Sequence, residues 1–256
     1  MLKWREDVVF LSARPYGEKG QIVSVLSKNS GKYNGWFYGG NSFAKKNLIQ
    51  QGNYLHATWK SRLSEQLGSF NFELIRSNSS YFINEPIKLA CLNSLCAILD
   101  KILPEREPNS NIYIASITFI NLLSDVDETN LEWLKAYVKW ELGLISFLGF
   151  SFELKKCAVT GLDKNLAYVS PKSGKTVAYK VGEKYEKKLL LLPKFLGGNF
   201  WDINNTNFSE IEEGLKLSSF FLKKFFFEDK NNFPKPRERL NDIVNKLVGK
   251  VRNGSQ

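Results

Sequence analysis

Residues 8–40 read VVFLSARPYGEKGQIVSVLSKNSGKYNGWFYGG, and the punctuation of this stretch decides the architecture of the N-terminal third of the chain. Val8–Ser12, Gln21–Leu26 and Tyr33–Tyr38 are rich in β-branched and aromatic residues. They are bounded by Pro15-Tyr16-Gly17-Glu18-Lys19-Gly20, by Asn29-Ser30-Gly31 and by Gly39-Gly40-Asn41. Proline, asparagine and glycine supply the backbone angles of tight turns, so the pattern predicts three short strands joined by two turns. Basic and aromatic side chains are interleaved through it: Arg14, Tyr16, Lys19, Lys28, Lys32, Tyr33, Trp36, Phe37 and Tyr38. Side chains alternate across a strand, so at least one of the consecutive aromatics 36–38 must face away from any core.

Working outward, Asn41–Gly52 is a polar connection carrying Lys45 and Lys46. Tyr54–Trp59 alternates again, and Gly68–Ile75 sets Phe70, Phe72 and Leu74 on one face. Three strands, a connector and two more predict a five-stranded Greek-key barrel of the OB type; an SH3-like barrel or an open meander would give nearly the same pattern. From Glu85 the hydrophobic period becomes helical. Pro86–Leu103 carries a stripe at 87, 91, 95, 98, 99 and 102 behind a first-turn proline, and Ile112–Leu123 is apolar all round. Leu131–Leu148 is apolar on two faces and is followed by Gly149, a helix-ending residue. Residues 150–179 give short β-like pieces around turns at Thr160-Gly161 and Pro171-Lys172-Ser173-Gly174, a module too small for its own core. Helical patterning returns at Glu183–Leu192 and Phe208–Phe227; Pro234-Lys235-Pro236 breaks the chain, and Arg237–Val251 forms a last basic helix. The expected fold class is therefore α+β and multidomain. Residues 1–80 form the barrel, 81–150 a helical domain, 151–180 a small β-ribbon insertion, and 181–256 C-terminal helices that complete the helical domain and end in a basic tail.

The 256 residues carry a formal charge of +10, unevenly spread. Residues 1–80 hold 11 basic against 5 acidic side chains, 81–150 hold 5 against 9, and 151–256 hold 20 against 12. Two basic units flank an acidic middle, so one polyanion could touch both ends; a lysine-rich solvated surface accounts for basicity alone equally well. The odd cysteine count, Cys91, Cys96 and Cys157, does not suit a disulfide framework and points to a reducing compartment. The N-terminus is charged where a signal peptide needs an apolar run, and no apolar stretch reaches bilayer length. The expectation is a soluble cytoplasmic protein with no membrane association.

Catalytic chemistry finds little to work with. The single histidine, His56, sits in the Tyr54–Trp59 strand as an ordinary strand residue, with no second histidine for a dyad or zinc cluster. Ser173-Gly174-Lys175-Thr176 imitates the end of a phosphate-binding loop, but Val169 stands where the leading glycine belongs and Pro171 interrupts the cradle. Asp125, Asp127, Glu128 and Glu132 lack the glycine of a calcium loop and read as a solvated helix start. No catalytic residue, metal or cofactor is expected, and the chain reads as a non-enzyme. What remains is the basic and aromatic barrel, because barrels of this size bind single strands with a cationic groove and stacking rings. The candidate nucleic-acid contacts are Arg14, Lys19, Lys28, Lys32, Trp36, Lys45, Lys46 and Arg62. A barrel that binds RNA, or a protein-binding adaptor without nucleic-acid activity, fits the same residues.

Arg14-Pro15-Tyr16-Gly17-Glu18, followed by Val25-Leu26-Ser27 and Gly31, resembles the bacterial RecO family of recombination mediators. Lys139-Trp140-Glu141-Leu142 through Phe147-Leu148-Gly149 is similar to that family's F-E-x-x-L-L-x-x-L-G helix end. Cys157-Ala158-Val159-Thr160-Gly161 and Tyr168-Val169-Ser170-Pro171-Lys172-Ser173-Gly174 resemble its small ribbon. The resemblance covers most of residues 4–180. It implies an OB-fold, a helical central domain, binding of single- and double-stranded DNA, and annealing of complementary strands. It also implies partnership with RecR and with the acidic C-terminal tail of single-stranded DNA-binding protein, so that recombinase is loaded on coated strands. By match to the helix end, Lys139, with Trp140 beside it, is the candidate for the acidic tail. Two departures stand out. Many relatives hold zinc with two C-x-x-C pairs in the ribbon; here Cys157 alone survives and Thr160 takes the second place, so no metal is expected. Relatives often carry a basic residue after the glycine ending the third strand; here Gly39-Gly40-Asn41 shifts that role to Lys45 and Lys46.

Overall fold

The computed structural model describes residues 2–40, 43–63, 65–127, 132–200, 207–227 and 232–254. They fall into two compact units, residues 1–128 with 234–240 and residues 129–233 with 241–256.

In the first unit, β1 (Leu2–Tyr16), β2 (Gly20–Ser27), β3 (Gly31–Tyr38), β4 (Tyr54–Ser61) and β5 (Ser69–Arg76) close in the order β1-β2-β3-β5-β4. Neighbours are antiparallel except at the β3–β5 junction, where Trp36 lies opposite Ser69 and donates its backbone N–H to Gly68 O at 3.0 Å. That junction decides between a closed barrel and an open meander, and the strand order is that of an OB fold. The first strand is longer than the predicted Val8–Ser12 because it serves two partners: residues 2–9 pair with β4 and residues 8–16 with β2. A register shift between Phe10 and Ser12 lets it turn from one to the other. The side chain of Gln51 donates to Leu11 O at 3.0 Å, satisfying a carbonyl at that irregularity. The core is Val8, Phe10, Val23, Val25, Phe37, Leu55, Ala57, Trp59, Phe70 and Phe72. Leu74 keeps step with Phe70 and Phe72, opposite Leu55, but it is 46% exposed, because regular β4–β5 pairing ends just past that pair.

The short α1 (Phe43–Lys46) links β3 to β4, and α2 (Asn78–Tyr81), α3 (Pro86–Ile102) and α4 (Ser110–Asp125) follow the barrel. In α3 the predicted stripe residues Cys91, Leu95, Ile98 and Leu99 are fully buried, but so are Leu92 and Cys96 on other faces. Lys88, also buried, pairs with Glu85 at 2.5 Å and donates to Val126 O at 2.6 Å. The fourth helix starts two residues before the predicted Ile112, because Asn109 caps it by accepting the Ile112 N–H at 3.1 Å.

The second unit opens with α5 (Glu132–Phe147); the predicted first residue Leu131, and Glu128 of the acidic loop, lie outside the described residues. Trp133, Leu134, Tyr137, Val138 and Ile145 are fully buried, and α5 packs along α7 (Asn207–Phe226). At the end of α5 Gly149 takes φ +106°, a conformation open to glycine and costly for other residues, which explains the stop. Between these helices β6 (Leu166–Val169), β7 (Thr176–Ala178) and β8 (Leu190–Leu191) form a sheet in the order β7-β6-β8, with α6 (Tyr179–Gly182) and a 3-10 helix Glu183–Lys188 between β7 and β8. The helix predicted over Glu183–Leu192 therefore ends early. Its leucines pair with the free edge of β6, Leu190 opposite Val169 and Leu191 opposite Tyr168, so sheet pairing overrides the local helical pattern. Leu189 and Leu191, with Tyr179, Val181 and Phe200, pack against the small cluster of Ala167, Tyr168 and Val177. The last helix, α8 (Lys235–Gly254), begins at the predicted break, since a proline in the first turn, here Pro236, loses no helical hydrogen bond.

Candidate nucleic-acid interface

The antiparallel register of β1, β2 and β3 sets three rows of side chains across the outside of the barrel. Arg14 stands opposite Ile22 and Ile22 opposite Trp36; Tyr16 stands opposite Gly20 and Gly20 opposite Tyr38; Ser12, Ser24 and Asn34 form the third row. Because the pleat alternates, Phe37 points into the core while Trp36 and Tyr38 point out. Their rings lie 5.5 Å apart, and Tyr38 and Tyr16 are 54% and 59% exposed. The indole of Trp36 lies on the bare backbone of Gly20, where an added Cβ would fall 2.2 Å from its Nε1. Glycine at 20 thus lets the ring lie flat on the sheet.

Cations frame these rings. Arg14 and Lys19 are exposed on β1 and the β1–β2 turn. Gly39 N–H donates to Lys19 O at 2.8 Å, which joins that turn to the end of β3. Lys45 donates to Tyr38 O at 3.0 Å and sits 5.3 and 5.8 Å from the ring centres of Phe37 and Tyr38, a cation fixed against aromatic faces. Lys46 beside it is exposed. Arg62 is exposed on the β4–β5 loop, which returns to the sheet at Ser69 opposite Trp36.

Two candidates are not part of this group. Lys28 is exposed in the β2–β3 turn, at the far end of eight-residue strands, seven steps or about 23 Å away at roughly 3.3 Å per residue. It has Glu6 for company, which accepts from Asn29 N–H at 3.1 Å and Ser30 Oγ at 2.7 Å. Lys32 is a correction. It is only 9% exposed, and its ammonium donates to Asp100 O at 2.8 Å, a carbonyl of the last turn of α3. The following loop covers that half of β3: Arg106 N–H donates to Lys32 O at 2.7 Å and Asn34 donates to Glu105. Between this loop and the sheet lies a cleft of about 290 Å³ lined by Ser12, Arg14, Ser24, Asn34, Lys101 and Glu105, among others. Ser24 Oγ and Asn34 Oδ1 are buried there without a hydrogen-bond partner among the described residues. That at least one of the aromatics 36–38 faces outward was readable from their alternation; the place of Tyr16 beside Tyr38 was not, because the stretch around it reads as a turn. Nor was the exposure of Lys101 at the cleft, because nothing local says where α3 ends relative to the sheet.

Residues 1–78 match the profile of the Recombination protein O N-terminal domain, and residues 83–224 that of its C-terminal domain. The chain belongs to the RecO family. It is 37% identical over 228 residues to the DNA repair protein RecO of Rhodospirillum centenum, an alignment covering 88% of each chain. To the DNA repair protein RecO of Rhodospirillum rubrum it is 38% identical, over 87% of this chain and 88% of the other. With the namesake of a Wolbachia from Drosophila simulans it shares 37% identity over 92% and 98%.

Against that RecO background, the two residues matched to the helix end separate. Lys139 is exposed on α5, but Trp140 is 7% exposed and stacks on Tyr137 at 5.7 Å. Neighbours on a helix point about 100° apart, so only the lysine is available to a partner. In the ribbon, Sγ of Cys157 accepts the Ala178 N–H at 3.3 Å. Burial alone would push this thiol up, but hydrogen bonds from the Thr160 side chain and from the backbone at Thr160, Ala178 and Val159 outweigh it and bring the pKa down to about 7. A thiolate-stabilising turn is thus present, yet among the described residues no group of three His, Cys, Asp or Glu stands close enough to hold a metal ion. One thiolate does not make the tetrahedral set zinc requires, so these residues do not fit it.

Proposed function

We propose that this chain is a DNA repair and recombination mediator that binds single- and double-stranded DNA on the outer face of β1–β3. In this reading it anneals complementary strands and, with RecR, helps load recombinase on protein-coated single strands. The observation that carries the reading is the outward pair Trp36 and Tyr38 framed by Arg14, Lys19 and Lys45. Rings stack bases without regard to sequence, while the cations neutralise phosphates. Arg62 and Lys46 extend the cationic rim, and exposed Lys139 is the contact offered to the acidic tail of single-stranded DNA-binding protein. The work is non-enzymatic: electrostatics and stacking supply the free energy and no bond is made or broken. Three buried cysteines held in no disulfide suit a cytoplasmic setting, and among the described residues no helix is long and apolar enough to cross a membrane.

The test is fluorescence anisotropy of a labelled oligonucleotide titrated from low to physiological salt. The logarithm of affinity should fall linearly with the logarithm of salt, by about 0.7 for each phosphate contact on a single strand. Changing Lys45 and Lys46 to Glu should weaken binding alike for every sequence and lower that slope by about 1.4. Absence of binding at low salt refutes the reading.

A further inference from the structure

Residues 151–200 hold ten lysines against four carboxylates, an excess that the barrel face does not use. The 3-10 helix Glu183–Lys188 sorts its charges. Residues three apart eclipse in such a helix, so Lys184 lines up with Lys187, Tyr185 with Lys188, and Glu183 with Glu186. The acidic edge is turned to Tyr179, whose hydroxyl donates to Glu183 at 3.0 Å. The other two edges carry exposed lysines and Tyr185, which is 60% exposed.

The sheet register brings further cations to the same end. Val169 pairs with Thr176 on one side and Leu190 on the other. Lys175 immediately precedes Thr176, Lys188 lies two residues before Leu190, and Lys172 sits in the turn that follows Val169. The turn is fixed, with Ser170 N–H donating to Lys175 O and Gly174 N–H to Ser170 O, both at 2.9 Å. Lys224 of α7 clamps it from outside, donating to Pro171 O at 2.6 Å and Lys172 O at 3.2 Å. Lys172, Lys175, Lys187 and Lys188 are all exposed, and none is held in an ion pair among the described residues. The nearby carboxylates are Glu186 and Glu153, whose side chain accepts the Lys155 N–H at 3.3 Å.

We infer that Lys172, Lys175, Lys187 and Lys188, with Tyr185, form a second nucleic-acid site on the ribbon, which holds the sugar–phosphate backbone of a second strand. Four unpaired ammonium groups on fixed backbone beside one exposed ring repeat the chemistry of a single-strand track. Bringing two polyanions together requires neutralising both, and a second cationic track neutralises the second strand. The inference deepens the annealing reading and rests on it.

The experiment uses the full chain with Lys172, Lys175, Lys187 and Lys188 changed to Glu, and separately with the exposed Tyr185→Ala, each checked by circular dichroism. One-strand affinity is read by anisotropy, and annealing of two complementary oligonucleotides by fluorescence energy transfer. The fourfold variant should bind one strand within about threefold of wild type yet anneal at least about tenfold more slowly, with the salt slope of annealing reduced by about 3. Tyr185→Ala should slow annealing in the same direction by a smaller factor. Unchanged annealing in both variants overturns the inference, as does a defect confined to binding of an acidic protein segment. In a barrel variant with Arg14, Lys19 and Lys45 changed to Glu, loss of one-strand affinity upholds the barrel reading whatever the ribbon does. Retention of that affinity refutes the barrel reading alone.

Discussion

Replacing Trp36 and Tyr38 together with Ala is expected to weaken single-strand binding by roughly two orders of magnitude at fixed salt. Each base stacked on an aromatic side chain is worth about 1–3 kcal/mol, and the two rings present neighbouring platforms 5.5 Å apart on the outer face. The change removes no charge, so the salt slope should stay as it is. Duplex affinity should fall much less, because paired bases are already stacked on one another and offer no free face to a ring. Anisotropy with matched single-stranded and duplex oligonucleotides measures all three quantities. An equal loss for both would mean that the rings act as packing and not as stacking platforms.

The opposite outcome is expected two strands away, on the inner face of the same barrel. Trp59 is 2% exposed, its indole N–H donates to Leu67 O at 3.0 Å, and its ring meets Tyr33 at 4.9 Å and Trp4 at 6.2 Å. Trp59→Ala opens a cavity at one end of the barrel and frees the β4–β5 loop, at a cost of about 3–5 kcal/mol. With a urea dependence of about 2 kcal/mol per molar, the barrel's unfolding midpoint should fall by about 2 M, followed by far-ultraviolet circular dichroism. Trp36→Ala, which uncovers the backbone of Gly20 and one side of the exposed Tyr38 ring, should move that midpoint by less than about 0.5 M. Equal shifts for the two tryptophans would contradict the assignment of inner and outer faces.

The contrast between these tryptophans shows how far the sequence could be read. Alternation around Phe37 was enough to say that aromatic rings must leave the core, and Pro86 and Gly149 marked helix ends because each acts through its own backbone. What decided the rest were partners distant in the chain. Lys32 has the composition of a phosphate contact, and it became a buried donor to Asp100 because the end of α3 folds over β3. Leu190 and Leu191 belong to a helical pattern until the edge of β6 offers them hydrogen bonds. Trp140 adjoins an exposed lysine in sequence, yet it is turned inward by the pitch of α5. Barrel closure itself rests on one parallel contact, Trp36 with Ser69, that no local pattern announces.

The central claim is that nucleic acid lies across the outer face of β1–β3. Ultraviolet cross-linking of an oligonucleotide carrying bromodeoxyuridine, followed by mass-spectrometric mapping of the modified residues, tests it most directly. In the first unit the account predicts adducts at Trp36, Tyr38 and Tyr16, suppressed by raised salt and by Arg14→Glu with Lys19→Glu. Adducts in that unit found only away from these strands, for example at Tyr81 with the three rings unmodified, would contradict it.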